Sequence, residues 1–303
     1  MIIRAGALGD TLMLLPAIAQ LRAKAGVILS GRYPGIDFLR PYVDQCMDFE
    51  GSGWHRLFIK GAARDHGIYL PGVDHVVAFL SDEGGNVMQN LSDCLPDARI
   101  HIFPAFPPEN ENVHIALYMA RSLQEAGLPL NARHSLDHSY RQPLMAGHGQ
   151  PKRERSIVLH PGSGSIKKNY PPDLWVELIR VFQTIYPDGG QRIILLLGPA
   201  EEGSRSFFSG RLDGMATELI FCPEKDKLLS ILSRALLYIG HDSGITHMAA
   251  MLGTPVIALF KGSSVRRWAP LGPAVRIIKD KKGGSNLIKD IAHEGMKFIV
   301  PKS

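Results

Sequence analysis

From residue 157 to residue 260, short and almost wholly apolar runs alternate with amphipathic stretches of helical length. Strands that are apolar on both faces and separated by helices are typical of a parallel sheet covered on both sides. The periodicity predicts strands at 157–160, 192–197, 218–221, 237–239 and 255–260, with helices at 172–186, 201–212, 225–235, 244–252 and 286–300. The second half of the chain is therefore predicted to be a doubly wound α/β domain.

The first half shows the same alternation less regularly. The pattern predicts strands at 1–5, 27–30, 76–80 and 99–103, and helices at 10–24 and 113–126, with Asp10 as the cap of the first helix. Residues 139–156 combine proline, glycine and charge without apolar periodicity, as an interdomain linker does. The sequence thus predicts an α/β protein of two doubly wound, Rossmann-like domains, 1–150 and 151–303.

Composition narrows the class of protein. With 303 residues, 45% of them hydrophobic and 21% charged, the chain has the composition of a globular protein. Cys46, Cys94 and Cys222 are odd in number and far apart, which favours a reducing compartment over a disulfide framework or a zinc site. The longest apolar runs are shorter than the ~18 residues that a membrane-spanning helix needs, so none is expected.

Charge is divided unevenly between the two halves. Residues 1–150 hold 12 Lys and Arg against 15 Asp and Glu, whereas residues 151–303 hold 22 against 14. The basic second half favours an anionic ligand such as phosphate, and a basic surface that meets only solvent is the alternative. No nucleic-acid partner is expected, because aromatic residues do not interleave with a continuous basic stripe.

Three loops lead from a predicted strand into a predicted helix, where open α/β sheets bind ligands and helix amides favour anions. GALGD at 6–10 allows a tight turn before Asp10, which is either a helix cap or a catalytic base. HPGSGSIKKNYPP at 160–172 suits phosphate but lacks the spacing of a P-loop, and an ordinary turn is its alternative. In GHDSGITHMAA at 240–250, Ser243 and His247 could hold an anion at a helix start.

Four segments in chain order resemble glycosyltransferase family 9, the heptosyltransferase family: GALGDTLMLLPAIAQLR, HPGSGSIKKNYPPDLWVEL, LLLGPAEE and YIGHDSGITHMAAMLGTPVIALF. The resemblance implies a GT-B fold, in which two Rossmann-like domains face a cleft, the first for the acceptor and the second for the nucleotide sugar. It implies inverting transfer of heptose from ADP-heptose to the lipopolysaccharide inner core. No cofactor and no bound metal are expected.

The resemblance also implies roles for individual residues. Asp10 falls on the general base that takes the proton of the acceptor hydroxyl, and Lys168 falls on the lysine that faces the donor phosphates. Glu201 matches the acidic residue that holds the ribose, with Glu202 as the alternative. The other donor-binding positions are Ser163, Gly164, Asp242, Ser243, Gly244 and His247, and the acceptor-side positions are Gly9 and Met13.

Two departures from the family pattern concern the substrates. Met13 and Leu14 stand where lipopolysaccharide heptosyltransferases of the first type have His and Thr, and Lys261 stands where many relatives have Gly. Polar contacts to the acceptor or to the sugar are therefore expected to differ.

The resulting expectation is a cytoplasmic enzyme, peripheral at the inner face of the inner membrane, with a nucleotide-diphospho-sugar donor and a lipid-linked saccharide acceptor. One alternative is a family member that transfers another sugar to a different surface glycan. The other is a protein that binds a nucleotide sugar without turnover.

Overall fold

The computed structural model describes residues 1–51, 53–62, 68–145, 154–185, 191–279 and 285–299. The chain divides into two compact units, Met1–His138 and Ser139–Ser303. The predicted division at residue 150 falls between 146 and 153, outside the described residues. No helix in these described ranges is both long and apolar enough to cross a membrane.

The first unit is built on a parallel sheet. Its elements are β1 (Ile2–Arg4), α1 (Leu8–Leu12), α2 (Leu15–Leu21), β2 (Ile28–Gly31), α3 (Gly35–Leu39), β3 (Gln45–Asp48), β4 (His75–Phe79), α4 (Asn86–Cys94), β5 (Arg99–Phe103), α5 (Ile115–Glu125) and α6 (Ala132–Ser139), whose last residue lies just beyond the boundary between the units. The strand order is β3-β2-β1-β4-β5, and Ile3 of β1 pairs with Ser30 on one side and Ala78 on the other. The order therefore reverses between β1 and β4.

The predicted helix at 10–24 is wrong in two respects. It is two helices, α1 and α2, with a break at Met13 and Leu14. Pro16 lies in the first turn of α2 and has no N–H to donate to the carbonyl of Leu12, which favours the break. The first helix also begins before Asp10, because its N-cap is Ala7, so the predicted capping position of Asp10 is corrected.

The second unit holds a second parallel sheet. Its elements are β6 (Ser156–His160), α7 (Pro172–Ile185), β7 (Arg192–Leu197), α8 (Glu202–Leu212), β8 (Thr217–Phe221), α9 (Lys225–Arg234), β9 (Leu237–His241), α10 (Gly244–Met251), β10 (Val256–Phe260), α11 (Val265–Trp268), β11 (Val275–Lys279) and α12 (Ser285–Ile299). The strand order is β11-β10-β9-β6-β7-β8, with every pair parallel. This is the doubly wound arrangement that the apolar strands predict, with the reversal between β6 and β9.

The core of the second unit is organised by α7. Trp175, Leu178, Ile179 and Phe182 recur at helical spacing, and all are buried against the sheet. Gly295 of α12 lies against Phe182, where a side chain would have its Cβ 3.1 Å from the ring. The close approach lets α12 cover the same core.

Replacing Trp175 with Ala tests this packing. Trp175 is fully buried, and emptying a site of this size costs about 3–5 kcal/mol of unfolding free energy. Ile166 is 86% exposed and serves as the control, since Ile166→Ala is expected to change stability by less than about 0.5 kcal/mol. Urea unfolding of the full chain measures both, and equal losses would contradict the assignment of the core.

Candidate functional site

The reversal of strand order in the second unit brings two loops together. His160 ends β6 and His241 ends β9, and these strands pair in parallel although the two residues are far apart in sequence. Ligands of open α/β sheets bind beyond the carboxyl ends of strands at such a reversal. The loops predicted from sequence, after β6 and before α10, therefore meet at this point.

Three sequence-predicted residues form a charged cluster there. Lys168 Nζ lies 2.9 Å from Asp242 Oδ2, and His247 Nε2 lies 3.5 Å from Asp242 Oδ1. Burial by itself raises the pKa of Asp242, but the hydrogen bonds and charges of His247 and Lys168 outweigh it and lower this pKa to about 2. Asp242 is thus an ionised carboxylate at neutral pH, and it ties the loop after β6 to the start of α10.

The start of α10 is fixed by hydroxyl groups. Ser243 is the N-cap, and its side chain accepts a hydrogen bond from the Thr246 amide at 3.4 Å. The Thr246 hydroxyl lies 3.1 Å from both Ser243 Oγ and the Tyr238 hydroxyl, and it donates to the His241 carbonyl. Gly244 is the first helical residue. Sequence analysis missed Tyr238 and Thr246, which hold the predicted anion-binding turn in place.

The loop after β6 is organised by Ser163. Its Oγ lies 2.6 Å from Asn169 Oδ1 and 2.9 Å from the Ser165 carbonyl, so the hydroxyl bonds within the loop. Gly164 faces open space, because a Cβ there would have no neighbour within 4 Å. A Cβ on Gly162, in contrast, would lie 1.9 Å from Glu201 Oε1. Gly162 is therefore required for Glu201 to reach the loop, a role that the sequence did not reveal.

The two candidate ribose-binding acids differ in environment. Glu201 is buried, its Oε2 accepts the Gly198 amide at 2.8 Å, and the same oxygen lies 3.7 Å from His160 Nε2. Burial raises the pKa of Glu201, and the Gly198 hydrogen bond opposes the rise. Glu202 is exposed and lies 3.9 Å from Arg205. Of the two acids, Glu201 is the one that lies against the loop after β6.

A cavity of about 420 Å³ lies between these elements. Its described lining comprises Pro161, Ser163, Gly164, Ser165, Ile166, Asn169, Tyr170, Pro171, Pro172, Ala200, Glu201, Ser204, Phe208 and Lys261. Within that lining, Glu201 is the one carboxylate and Lys261 the one cation. Lys168 and Asp242 are not among these residues, so the charged cluster and the cavity are neighbouring features that share one loop.

Two buried histidines lie at the ends of β6 and β9. Burial lowers the pKa of His160 to about 4. Burial and the nearby His160 lower the pKa of His241 to about 3. His241 Nε2 accepts the Tyr170 amide at 2.9 Å, which requires an uncharged ring nitrogen. Both histidines are therefore neutral at pH 7.

In the first unit, Asp10 lies in α1, the helix that follows the carboxyl end of β1. Asp10 Oδ2 accepts the Ala7 amide at 3.0 Å, and a Cβ on Gly6 would lie 2.6 Å from Asp10 Cβ. Gly9 accepts the amide of Met13 through its carbonyl at 3.3 Å. Met13 itself is fully buried within the first unit, and its place on the acceptor side stays a prediction.

Sequence analysis missed Arg4 in this unit. The guanidinium is almost fully buried, lies 4.7 Å from the centre of the Phe106 ring, and has no hydrogen-bond partner for Nε or Nη2 in the described residues. Burial lowers the pKa of Arg4, and the charge of Asp10 opposes this. A lone arginine within the apolar run of β1 is the only signal that the sequence offers.

Two parallel-sheet α/β units, with a candidate anion site at the strand-order reversal of the second, define a GT-B-type fold. The family model for glycosyltransferase family 9 (heptosyltransferase) matches residues 107–290. The chain belongs to this family of glycosyltransferases, as the sequence motifs predict.

Named relatives agree with this assignment. Lipopolysaccharide heptosyltransferase 3 of Escherichia coli K12 is 29% identical over 125 residues, which cover 39% of this chain and 34% of that protein. The matched region thus spans about a third of the length of that relative. The structure of E. coli heptosyltransferase WaaC with ADP matches at a TM-score of 0.69 and 15% identity, over 97% of this chain and 98% of that chain.

A second solved structure, E. coli ADP-heptose lps heptosyltransferase II, matches at a TM-score of 0.67 and 16% identity, over 98% of this chain and 97% of that chain. At this identity the two likenesses establish the fold. The predicted fold class is confirmed.

The neutral histidines predict a pH dependence of stability. Their folded-state pKa values lie below the ordinary 6.5, so the unfolded chain binds protons that the folded chain does not as the pH falls below 6.5. Between pH 7 and pH 5, each histidine is expected to remove about 2 kcal/mol of unfolding free energy. Urea unfolding at the two pH values measures the loss.

The matched variants are His160→Asn and His138→Asn, the second at an exposed position. His160→Asn is expected to lose about 2 kcal/mol less than the wild type over this pH interval, whereas His138→Asn is expected to follow the wild type. An unchanged pH dependence in His160→Asn would contradict the neutral buried state.

Proposed function

We propose that this chain is an inverting glycosyltransferase that transfers heptose from ADP-heptose to a lipopolysaccharide inner-core saccharide. Family membership supports sugar transfer, and the names of the relatives point to ADP, ADP-heptose and lipopolysaccharide as their ligands. The observation that carries the proposal is the pairing of Lys168 with Asp242 at the strand-order reversal of the second unit. This pair joins the two loops that suit a nucleoside diphosphate.

The proposed donor site combines the cavity and the charged cluster. Glu201 accepts hydrogen bonds from the ribose hydroxyls, and the diphosphate extends toward Lys168 and the first amides of α10. Ser163 and Gly164 present the loop after β6 to the phosphates, while Asp242 and His247 orient Lys168 and the helix start. The lysine offsets the negative charge that develops on the departing diphosphate.

The proposed chemistry is a direct displacement. The acceptor hydroxyl oxygen attacks the anomeric carbon as the bond to the diphosphate oxygen breaks, which inverts the anomeric centre. Asp10 takes the hydroxyl proton as the new bond forms, when that proton becomes acidic. The electron pair of the broken bond leaves with ADP. A metal ion has no part in this proposal.

Asp10→Asn tests the base. The amide oxygen can still accept from the Ala7 amide, so the local fold is expected to survive while proton transfer is lost. We expect transfer to fall by about 10² to 10⁴, with ADP affinity unchanged. ADP release with ADP-heptose and truncated lipopolysaccharide measures the first, and calorimetry measures the second.

Asp44→Asn is the control for this variant. Asp44 accepts the Val27 amide at 2.6 Å and precedes β3, at the amino end of the same sheet. It is expected to keep full transfer. Unchanged transfer in Asp10→Asn would exclude Asp10 as the base, and a lack of nucleotide binding by the wild type would remove the donor proposal itself.

Glu201→Gln tests the ribose contact. A carboxylate that accepts two ribose hydroxyls contributes hydrogen bonds of about 1.5–3 kcal/mol, so ADP binding is expected to weaken about tenfold to a hundredfold. The wild type is expected to prefer ADP over 2′,3′-dideoxy-ADP, and the variant is expected to bind both alike. Glu202→Gln, at an exposed neighbour, is the control, and a larger effect there would reverse the assignment.

The proposed setting is the cytoplasmic side of the inner membrane, because the acceptor is lipid-linked. Phe58 and Ile59 are 44% and 52% exposed, and Lys60 beside them is exposed as well. An apolar pair with a basic neighbour suits the interface of an anionic bilayer. These residues support peripheral contact.

Transfer of a different sugar is the second candidate. The buried Met13 and the cationic Lys261 are the positions that favour it, because both depart from the family pattern. Calorimetric comparison of ADP, UDP, GDP and CDP separates the two candidates. A preference for a nucleotide other than ADP would retain sugar transfer and replace the donor.

A further inference from the structure

Lys261 lies directly after β10, the strand next to β9. Its Nζ donates to the Asn169 carbonyl at 3.1 Å and lies 5.3 Å from the centre of the Tyr170 ring. The side chain thus reaches from one loop across to the loop after β6. It is exposed, so its ammonium group keeps contact with water while it lines the cavity.

The two lysines at this site differ in whether a carboxylate neutralises their charge. Lys168 is paired with the ionised Asp242 at 2.9 Å, so its charge is largely offset before any ligand binds. Lys261 contacts a backbone carbonyl and an aromatic face, and no ion pair in the described part of the chain includes it. An ammonium has three N–H donors, and the Asn169 carbonyl uses one of them.

We infer that Lys261 binds the anionic group of the ligand that enters this cavity, namely the diphosphate of a nucleoside diphosphate. This inference rests on the proposed function and adds a contact residue to it. The positive charge comes from Lys261, directly after β10, and the proposed ribose-binding carboxylate comes from Glu201, in the segment between β7 and α8. One ligand with hydroxyls at one end and phosphates at the other meets both groups.

The physical basis is the change of environment on binding. A ligand that fills the cavity excludes water from around Nζ, and the attraction between ammonium and phosphate strengthens as the local dielectric falls. The carbonyl of Asn169 holds the ammonium at the cavity before the ligand arrives, which lowers the entropy lost on binding. Lys261 is therefore a preorganised specificity determinant for phosphate.

The test compares ADP with adenosine on Lys261→Met, Lys261→Arg and Lys167→Met. Lys167 is an exposed lysine on the turn after β6 and does not line the cavity, so its variant makes the same charge change nearby. Calorimetry measures ADP binding, and ligand-observed NMR titration measures adenosine binding. Circular dichroism at matched temperatures checks that each variant is folded.

Lys261→Met is expected to weaken ADP binding about tenfold and to leave adenosine binding unchanged. Lys261→Arg is expected to retain most of the ADP affinity, and Lys167→Met all of it. The ADP affinity of the wild type should also fall more steeply with added salt than that of Lys261→Met.

Other outcomes overturn the inference in distinguishable ways. Equal weakening of ADP and adenosine by Lys261→Met would mean that Lys261 only braces the Asn169 carbonyl. If the wild type binds ADP and Lys261→Met binds it equally well, the inference about Lys261 is excluded while the proposed donor site stands. If the wild type binds none of ADP, UDP, GDP or CDP, the proposed donor site fails and the inference fails with it. If another diphosphate binds best, the same comparison applies to that nucleotide and its nucleoside.

Discussion

Parallel pairing of β6 with β9 is the constraint on which the rest of the second unit depends. It places His160 and His241, the last residues of two strands remote in sequence, near each other at the carboxyl ends of the strands. The loops that follow the two strands therefore lie next to each other, and Lys168 forms an ion pair with Asp242. Both imidazoles are neutral at this position, because burying two charged imidazoles against the core would cost free energy.

Much of the fold could be predicted because the inner strands of the second half, β6, β7, β9 and β10, are buried on both faces and so carry continuous apolar runs. Two of the edge strands lack this signal: β3 is only partly buried, and β11 carries Arg276 and Lys279 among its apolar residues. The prediction of one helix at 10–24 was wrong because the apolar periodicity continues across Met13 and Leu14, whereas the helical backbone is interrupted there. Periodicity describes which residues are buried and does not by itself locate a helix end.

The candidate site could be predicted as three loops but not as a set of contacts. The family resemblance identified Lys168, Asp242 and His247, and the fold brings them together. No sequence rule pairs Gly162 with Glu201 or places Lys261 against Asn169, because these contacts join segments separated by whole strands and helices. Arg4 was missed for a related reason: the ring that it contacts belongs to Phe106, which follows the last strand of the first unit.

In the proposed donor site, the pairing of Lys168 with Asp242 also bears on the release of the product. A second lysine without an ion pair, beside Lys261, would hold a nucleoside diphosphate more strongly, and the spent nucleotide would then leave more slowly. Because Asp242 already shares the charge of Lys168, the carboxylate can take back the ammonium as the diphosphate departs. Under the proposed function, Asp242 replaces the departing diphosphate as the partner of Lys168.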